Sequence, residues 1–345
     1  MQRFAPAVRA IAVIVGLAVL VAVGVHRLVP VPVIFPGALR AASAPLTGSA
    51  PLTGLPVADP AVLARPVVAV KVDNAAKARP QTGLDQADIV FEGLVEGGLT
   101  RFVALFHSVN PGTVGPVRSA RDVDADLLPA FSSVLGISGA APGTEARLRA
   151  AGLRVLSEGQ APPGAFFRTG ERRSPHNLFT RPLELWRAGA DQPPAVPVWP
   201  FGAPPPLGGR PAPGARVVFS LNASATWTWD ASRRTWLRRE DGRDHLMSSG
   251  GQVTAENVVV ATVVTAPGGG VDTNGEPTVA IGVLGEGPAV VLRDGLAYDV
   301  RWRKASPSSQ FEWVTQRGAP LPLTPGRTWI ELVPASGSLV VGQIP

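Results

Sequence analysis

The 345-residue chain contains no cysteine. That excludes disulfides, thiolate metal ligands, a cysteine nucleophile and the lipid-bearing cysteine of a bacterial lipoprotein. Lysine is almost missing as well: Lys71, Lys77 and Lys304 are the only three, and arginine supplies the rest of the basic charge. There is no HExxH, no GxSxG, no Walker loop and no zinc spacing, so no metal site, cofactor or catalytic residue is assigned. Zinc-finger, basic-zipper and RNA-recognition motifs are also absent, and the arginines are scattered. The net charge of +6 suits an anionic partner, but no nucleic-acid partner is expected.

An apolar fraction of 45% excludes a disordered chain, and the length accommodates two domains. Residues 10–25, AIAVIVGLAVLVAVGV, are uncharged, with Arg3 and Arg9 before them and Arg27 after. This predicts an amino-terminal transmembrane helix within 1–27 and a cytoplasmic amino terminus. The protein would then sit in the cell membrane as a single-pass protein with its bulk extracytoplasmic. The alternative is a signal segment, with secretion after cleavage; the small triplet Ala42-Ser43-Ala44 lies far beyond the apolar run. Residues 28–61 read as a Pro/Ala-rich tether that repeats one step in APLTGSAPLTG.

Strands and helices alternate over 62–190, which predicts a mixed α/β (α+β) domain. Strands are expected at 67–73, 88–96 and 99–107. A helix is expected from Ser119, capped by Ser119 with Asp122, and another over 180–190 with Thr180 as its cap. Residues 191–215, rich in proline, read as a linker or a surface arm. Over 216–345 short strands follow one another without a helix, predicting a β-rich domain, a barrel or a sandwich. Trp227 and Trp229 share a strand face there, as aromatic core or as a sugar-stacking platform.

The stretch FEGLVEGGLTRF, residues 91–102, carries three charges through an apolar run. With Gly97-Gly98 as a two-residue turn, Glu92 opposes Val103 and Leu94 opposes Arg101. Glu92, Glu96, Arg101, Asp88 and His107 then share one face, opposite a core face of Ile89, Phe91 and Phe102. The charged face is a salt-bridged sheet surface or the floor of a cleft.

Asp73 and Asn74 end a buried strand, as an Asx-turn or as part of a site. In VGPVRSARDVD, Arg118, Ser119 and Arg121 flank a helix start and would suit an anion, unless Asp122, Asp124 and Asp126 already neutralise the arginines. His176 lies in the loop RRSPHNLF.

PLTGL (51–55), RPVVAVKVDN (65–74), ARPQTGLDQADIVFEGLVEGGLTRF (78–102), GPVRSAR (115–121) and SPHN (174–177) appear in that order. Together with the later ENVVVA, LGEGPAVVLRDG and PGRTWIELVP, they closely resemble the YerB-like bacterial envelope proteins. The resemblance covers about 51–335. It implies a secreted or membrane-attached protein of unknown function, with a mixed α/β amino-terminal domain and a β-rich carboxy-terminal domain. The motif positions are Asp73, Asn74, Arg79, Gln81, Asp88, Glu92, Glu96, Arg101, Arg118, Arg121, His176 and Asn177. Relatives commonly look like lipoproteins, whereas this chain has no cysteine, so its attachment falls to the amino-terminal helix or is absent.

These observations predict an extracytoplasmic, membrane-anchored binding module for an anionic or zwitterionic envelope ligand, such as a cell-wall fragment or peptide. The cleft is expected between the hairpin's charged face, the Arg118/Arg121 helix start and the His176 loop. Two alternatives are an envelope hydrolase using Asp73 or Glu92 with His176, and a scaffold that recruits an envelope protein.

Overall fold

A computed structural model describes residues 48–131, 133–203, 205, 208–271 and 275–344. The expected anchor at 1–27 and most of the tether lie outside the described residues. Among the described residues, no helix is long and apolar enough to cross a membrane. The tether ends earlier than expected: Leu52 is fully buried and belongs to a hydrophobic core.

The amino-terminal half supplies strands β1 (Val67–Asp73), β2 (Ile89–Leu94), β3 (Thr100–Phe106), β4 (Ser133–Ile137) and β5 (Arg154–Ser157). A small hairpin, β6 (Phe166–Arg168) and β7 (Leu178–Thr180), stands apart. The helices are short: α1 (Asp124–Leu127), α2 (Pro142–Ala150) and α3 (Pro182–Ala188). Among the described residues, every element of the carboxy-terminal half is a strand. It begins with β8 (Gly209–Pro211), β9 (Gly214–Ser220), β10 (Ala223–Asp230), β11 (Thr235–Glu240), β12 (Arg243–Asp244) and β13 (Thr254–Ala255). It continues with β14 (Asn257–Val271), β15 (Pro277–Gly282), β16 (Gly285–Arg293) and β17 (Leu296–Lys304). The last are β18 (Glu312–Thr315), β19 (Thr328–Pro334) and β20 (Ser338–Val341).

Both halves contribute to one 12-stranded sheet, ordered β18-β17-β16-β14-β19-β2-β3-β1-β4-β5, with β15 and β8 beside this path. The halves join where β19 pairs in parallel with β2, Glu331 opposite Glu92. A second sheet, β12-β11-β10-β9-β20 with β13, covers one face. The central strands explain why VVAVKVD shows no polar alternation: β1, β3 and β19 are buried at every position. A strand covered on both faces reads as a continuous apolar run. One core lies between the sheets and contains Val70, Val72, Phe102, Trp227, Trp236 and Trp329. The other lies beyond the opposite face, with Phe91, Val103, Leu127, Phe131, Trp302 and Phe311. Trp227 is therefore core, bonded through its indole N–H to Glu331 Oε1 at 2.8 Å.

The proline-rich segment is docked along the fold. Val198 and Trp199 are buried, Trp199 Nε1 donates to the Phe311 carbonyl, and β8 adds to the edge of β17.

Two helix starts differ from expectation. The helix expected from Ser119 begins only at Asp124, preceded by Val123 without a side-chain cap; Asp124 Oδ2 reaches back to accept the Arg121 N–H at 2.8 Å. Ser119 Oγ instead meets Ser138 Oγ. Thr180 ends β7 and its hydroxyl donates to the Ala165 carbonyl, so Arg181 is the residue preceding α3.

Candidate functional site: an arginine-lined pocket

The hairpin turns through three residues, not two. Val95 N–H donates to the Leu99 carbonyl, and Glu96-Gly97-Gly98 form the loop. Both glycines have φ of +68°, which favours residues without a side chain. Other contacts hold the loop: Gly98 and Gly97 carbonyls accept from Ser220 Oγ and Asn222 Nδ2 of the second sheet. One extra loop residue shifts every cross-strand partner by one. Glu92 therefore opposes Phe102, and Gly93 opposes Arg101. Because side chains alternate, Glu92 and Arg101 lie on opposite faces. The expected shared charged face of Glu92, Glu96 and Arg101 does not exist.

The candidate residues divide accordingly. Asp73, Glu96, Arg101, Arg118, Ser119, Arg121 and His176 gather on the α1 side. Asn74, Arg79, Gln81 and Glu92 gather on the second-sheet side. Asn177 joins neither; its amide accepts from Arg168 and donates to the Thr169 carbonyl, tying its own loop together.

On the α1 side, neighbouring positions of β1 and β3 place Asp73 opposite Arg101. Asp73 Oδ1 accepts the Ala75 N–H, the expected Asx-turn, while Oδ2 receives His176 Nδ1 at 2.7 Å and lies 3.2 Å from Arg118 Nε. Glu96 grips Arg121 with both oxygens, accepting from Nε at 2.7 Å. Burial alone would raise the Glu96 carboxyl, but the Arg121 hydrogen bonds hold it below its ordinary value. The aspartates do not neutralise the arginines as one reading held. Asp124 instead pairs with the buried Lys71 at 2.7 Å, and Asp122 and Asp126 pair with Arg147.

That leaves Arg101. It is only 8% exposed, yet it makes no ion pair among the described residues; its one hydrogen bond is a 3.3 Å contact from Nη1 to the Ser119 carbonyl. Burial, together with Arg121 and Arg118, brings its guanidinium down to about 10, still charged at neutral pH. Arg118 adds terminal nitrogens that donate to no described residue, its contact to Asp73 running through Nε. Arg101 and Arg118 line a cavity of ≈500 Å³ with Glu96, Ser119, Arg121 and the first turn of α2. The α2 start adds unpaired N–H groups and the positive end of a helix dipole.

On the second-sheet side, Glu92 is fully buried and accepts from Thr100 Oγ1, Asn74 Nδ2 and Arg238 Nη2. It cannot act with His176, because the sheet separates them. Arg238, Glu240, His245 and Glu331 complete this cluster, as does Lys71 the other, and sequence reasoning missed all five. The available signals were a charge inside an apolar strand, Lys71 in VVAVKVD and Glu331 in TWIELVP.

This two-half architecture has relatives. Residues 52–195 match the protein of unknown function DUF3048 N-terminal domain, and 215–330 match its C-terminal domain. The chain belongs to the DUF3048 family. It is 30% identical over 292 residues to a Bacillus subtilis (strain 168) protein named "Putative lipoprotein YerB", covering 79% of this chain and 82% of that one. The crystal structure of YerB from Bacillus subtilis is similar, with a TM-score of 0.74 and 29% identity over 85% of this chain and 99% of that chain. The family description carries no activity, so the chemistry of this DUF3048 protein has to come from its own side chains.

Proposed function

We propose that this protein is a membrane-attached, extracytoplasmic binding protein of the cell envelope, and that its ligand presents an oxyanion to the pocket of Arg101 and Arg118. The relative's name, a lipoprotein, supports the compartment. The apolar run at 10–25 would provide the attachment that a missing cysteine cannot. One observation carries the ligand class: a guanidinium 8% exposed, without an ion pair among the described residues, lining a cavity. Burying an unpaired charge is costly, and an incoming carboxylate or phosphate group would relieve that cost by charge-assisted hydrogen bonds. Glu96 has both oxygens committed to Arg121, so the pocket favours an anionic group over the ammonium of a zwitterion. Calorimetric titration of the full-length chain with a peptidoglycan digest tests this. Arg101→Met and Arg118→Met should each weaken binding by about tenfold or more, the worth of one charge-assisted hydrogen bond. Equal affinity in wild type and both variants would remove the reading.

The 2.7 Å contact between Asp73 and His176 favours a second reading, an envelope hydrolase. Asp73 would hold Nδ1–H and leave Nε2 to take a proton from water, with Arg118 stabilising the developing charge. Mass spectrometry of the same digest should then show cleavage by wild type and none by a folded His176→Ala protein.

A further inference from the structure

Beneath the second sheet, three glutamates and one arginine are buried together. Glu92 from β2 and Glu331 from β19 are direct partners in parallel register, so both carboxyls leave the sheet on the same side, and both are 0% exposed. Arg238 from β11 donates to Glu92 and Glu240, and its Nε lies 4.0 Å from Glu331. Its guanidinium stands over Trp329, with Phe102 and Trp227 at greater distance.

The groups facing this cluster from every side can be assigned a charge. Thr100 on β3, Asn74 after β1, Trp227 on β10 and Trp329 on β19 are neutral donors to the carboxyls. His245 accepts from Arg238 through Nδ1 and contacts Gln81 Oε1 through Nε2, which is the neutral tautomer. Arg79 bonds Glu240 and, further out, the half-exposed Asp241. The sealed set therefore holds three acids against Arg238 and Arg79, one negative charge too many. Glu331 Oε2 has no hydrogen-bond partner among the described residues, although it is buried beside Glu92. A buried oxygen with no donor is the position where a proton resolves both the surplus charge and the missing bond.

We propose that Glu92 and Glu331 hold one proton between them at neutral pH, and that losing it loosens the clasp of the second sheet on the central sheet. Electrostatics agree with the geometry. Burial pushes Glu92 up to about 8, raises Glu331 and pushes Glu240 up to about 7, with Arg238 opposing in all three. The missing bond at Glu331 Oε2 is what assigns the proton to the Glu92–Glu331 pair, which titrates as a unit. Glu92 ionises near 4.5 when unfolded and near 8 when folded. Its stabilising contribution is therefore complete below about 4.5 and is lost as pH rises to about 8. Protons have a route, because Glu240 and His245 form the floor of an open cleft of ≈570 Å³ lined also by Arg79, Asp241 and Asp244. Loosening would reach the arginine pocket through one peptide: Asn74 bonds Glu92 and Glu240, while the preceding Asp73 bonds His176 on the other face.

Infrared difference spectroscopy of the full-length protein reads the proton directly. Wild type at neutral pH should show a protonated-carboxyl stretch with a component that is missing from Glu331→Gln and from Glu92→Gln, and from wild type above about pH 9. A stretch absent from wild type, or unchanged in both variants, overturns the proposal. Thermal melting gives a second reading that does not depend on assigning a band. Between about pH 6.5 and 9 the wild-type melting temperature should fall, and Glu331→Gln should flatten that fall. His107 and His245, held low by burial, stay neutral across this window in the folded state. Parallel curves for the two proteins would also overturn it.

Discussion

The two polar clusters sit back to back on one sheet and handle surplus charge in opposite ways. On the α1 side the surplus is one guanidinium, Arg101, at the wall of an open cavity. On the second-sheet side the surplus is one carboxylate of the Glu92–Glu331 pair, at 0% exposure and separated from solvent by Glu240 and His245. A surplus that solvent can reach is available to a ligand. A surplus sealed from solvent can be neutralised only by a proton, so it acts on stability and its pH dependence.

Breaking the sealed cluster should have the largest effect. Arg238→Met leaves Glu92, Glu240 and Glu331 without their shared cation and should cost about 3–5 kcal/mol in denaturant unfolding. The same substitution on the open side should differ in kind. Arg101→Met removes a buried charge that Asp73 and Glu96 offset only through space, without an ion pair among the described residues. It should therefore destabilise far less than Arg238→Met, while anion binding weakens by about tenfold or more. If Arg101→Met destabilised as much as Arg238→Met, the contrast between the two clusters would collapse.

A smaller effect is expected at His107, buried just after β3 with neither ring nitrogen hydrogen-bonded among the described residues. Burial and the nearby Arg65 hold it down at about 4, so it folds neutral. Its contribution is present above the unfolded value of 6.5 and is lost as pH falls towards about 4. His107→Leu should remove that acid-side loss and gain up to about 1 kcal/mol at pH 7, because an unsatisfied buried donor costs that much. Urea unfolding of both proteins at pH 5 and pH 7 checks the sign.

Much of the fold was legible. The run VVAVKVD is β1, and the helix expected over 180–190 is α3, with Pro182 in its first turn and Gly189 after its end. Each rests on local pattern: apolar continuity, a proline that suits a helix start, a glycine after its end. The hairpin strands were legible too, but their pairing was not. Gly97-Gly98 favours a two-residue turn locally, and only the grip of Arg121 on Glu96 and of the second sheet on both glycine carbonyls shows why Glu96 joins the loop. A register shift of one residue then sent Glu92 and Arg101 to different faces. Arg238 and Glu331 were missed for a related reason. Arg238 meets Glu92, and Trp227 meets Glu331, across more than a hundred residues, while Glu331 meets Glu92 across a parallel register, and no spacing in the chain encodes that.

By itself the sequence determined where apolar segments run, which residue types the chain could never use, and which arginines, acids and histidine recur as polar interruptions in them. Those are properties of neighbours along the chain, and periodicity and composition report them. Tertiary structure alone decided which interruptions meet: Arg101 with a cavity, Glu92 with Glu331 and Arg238. The sign and burial of a charge's surroundings depend on the strand beside it and the sheet above it, and those come from distant parts of the chain.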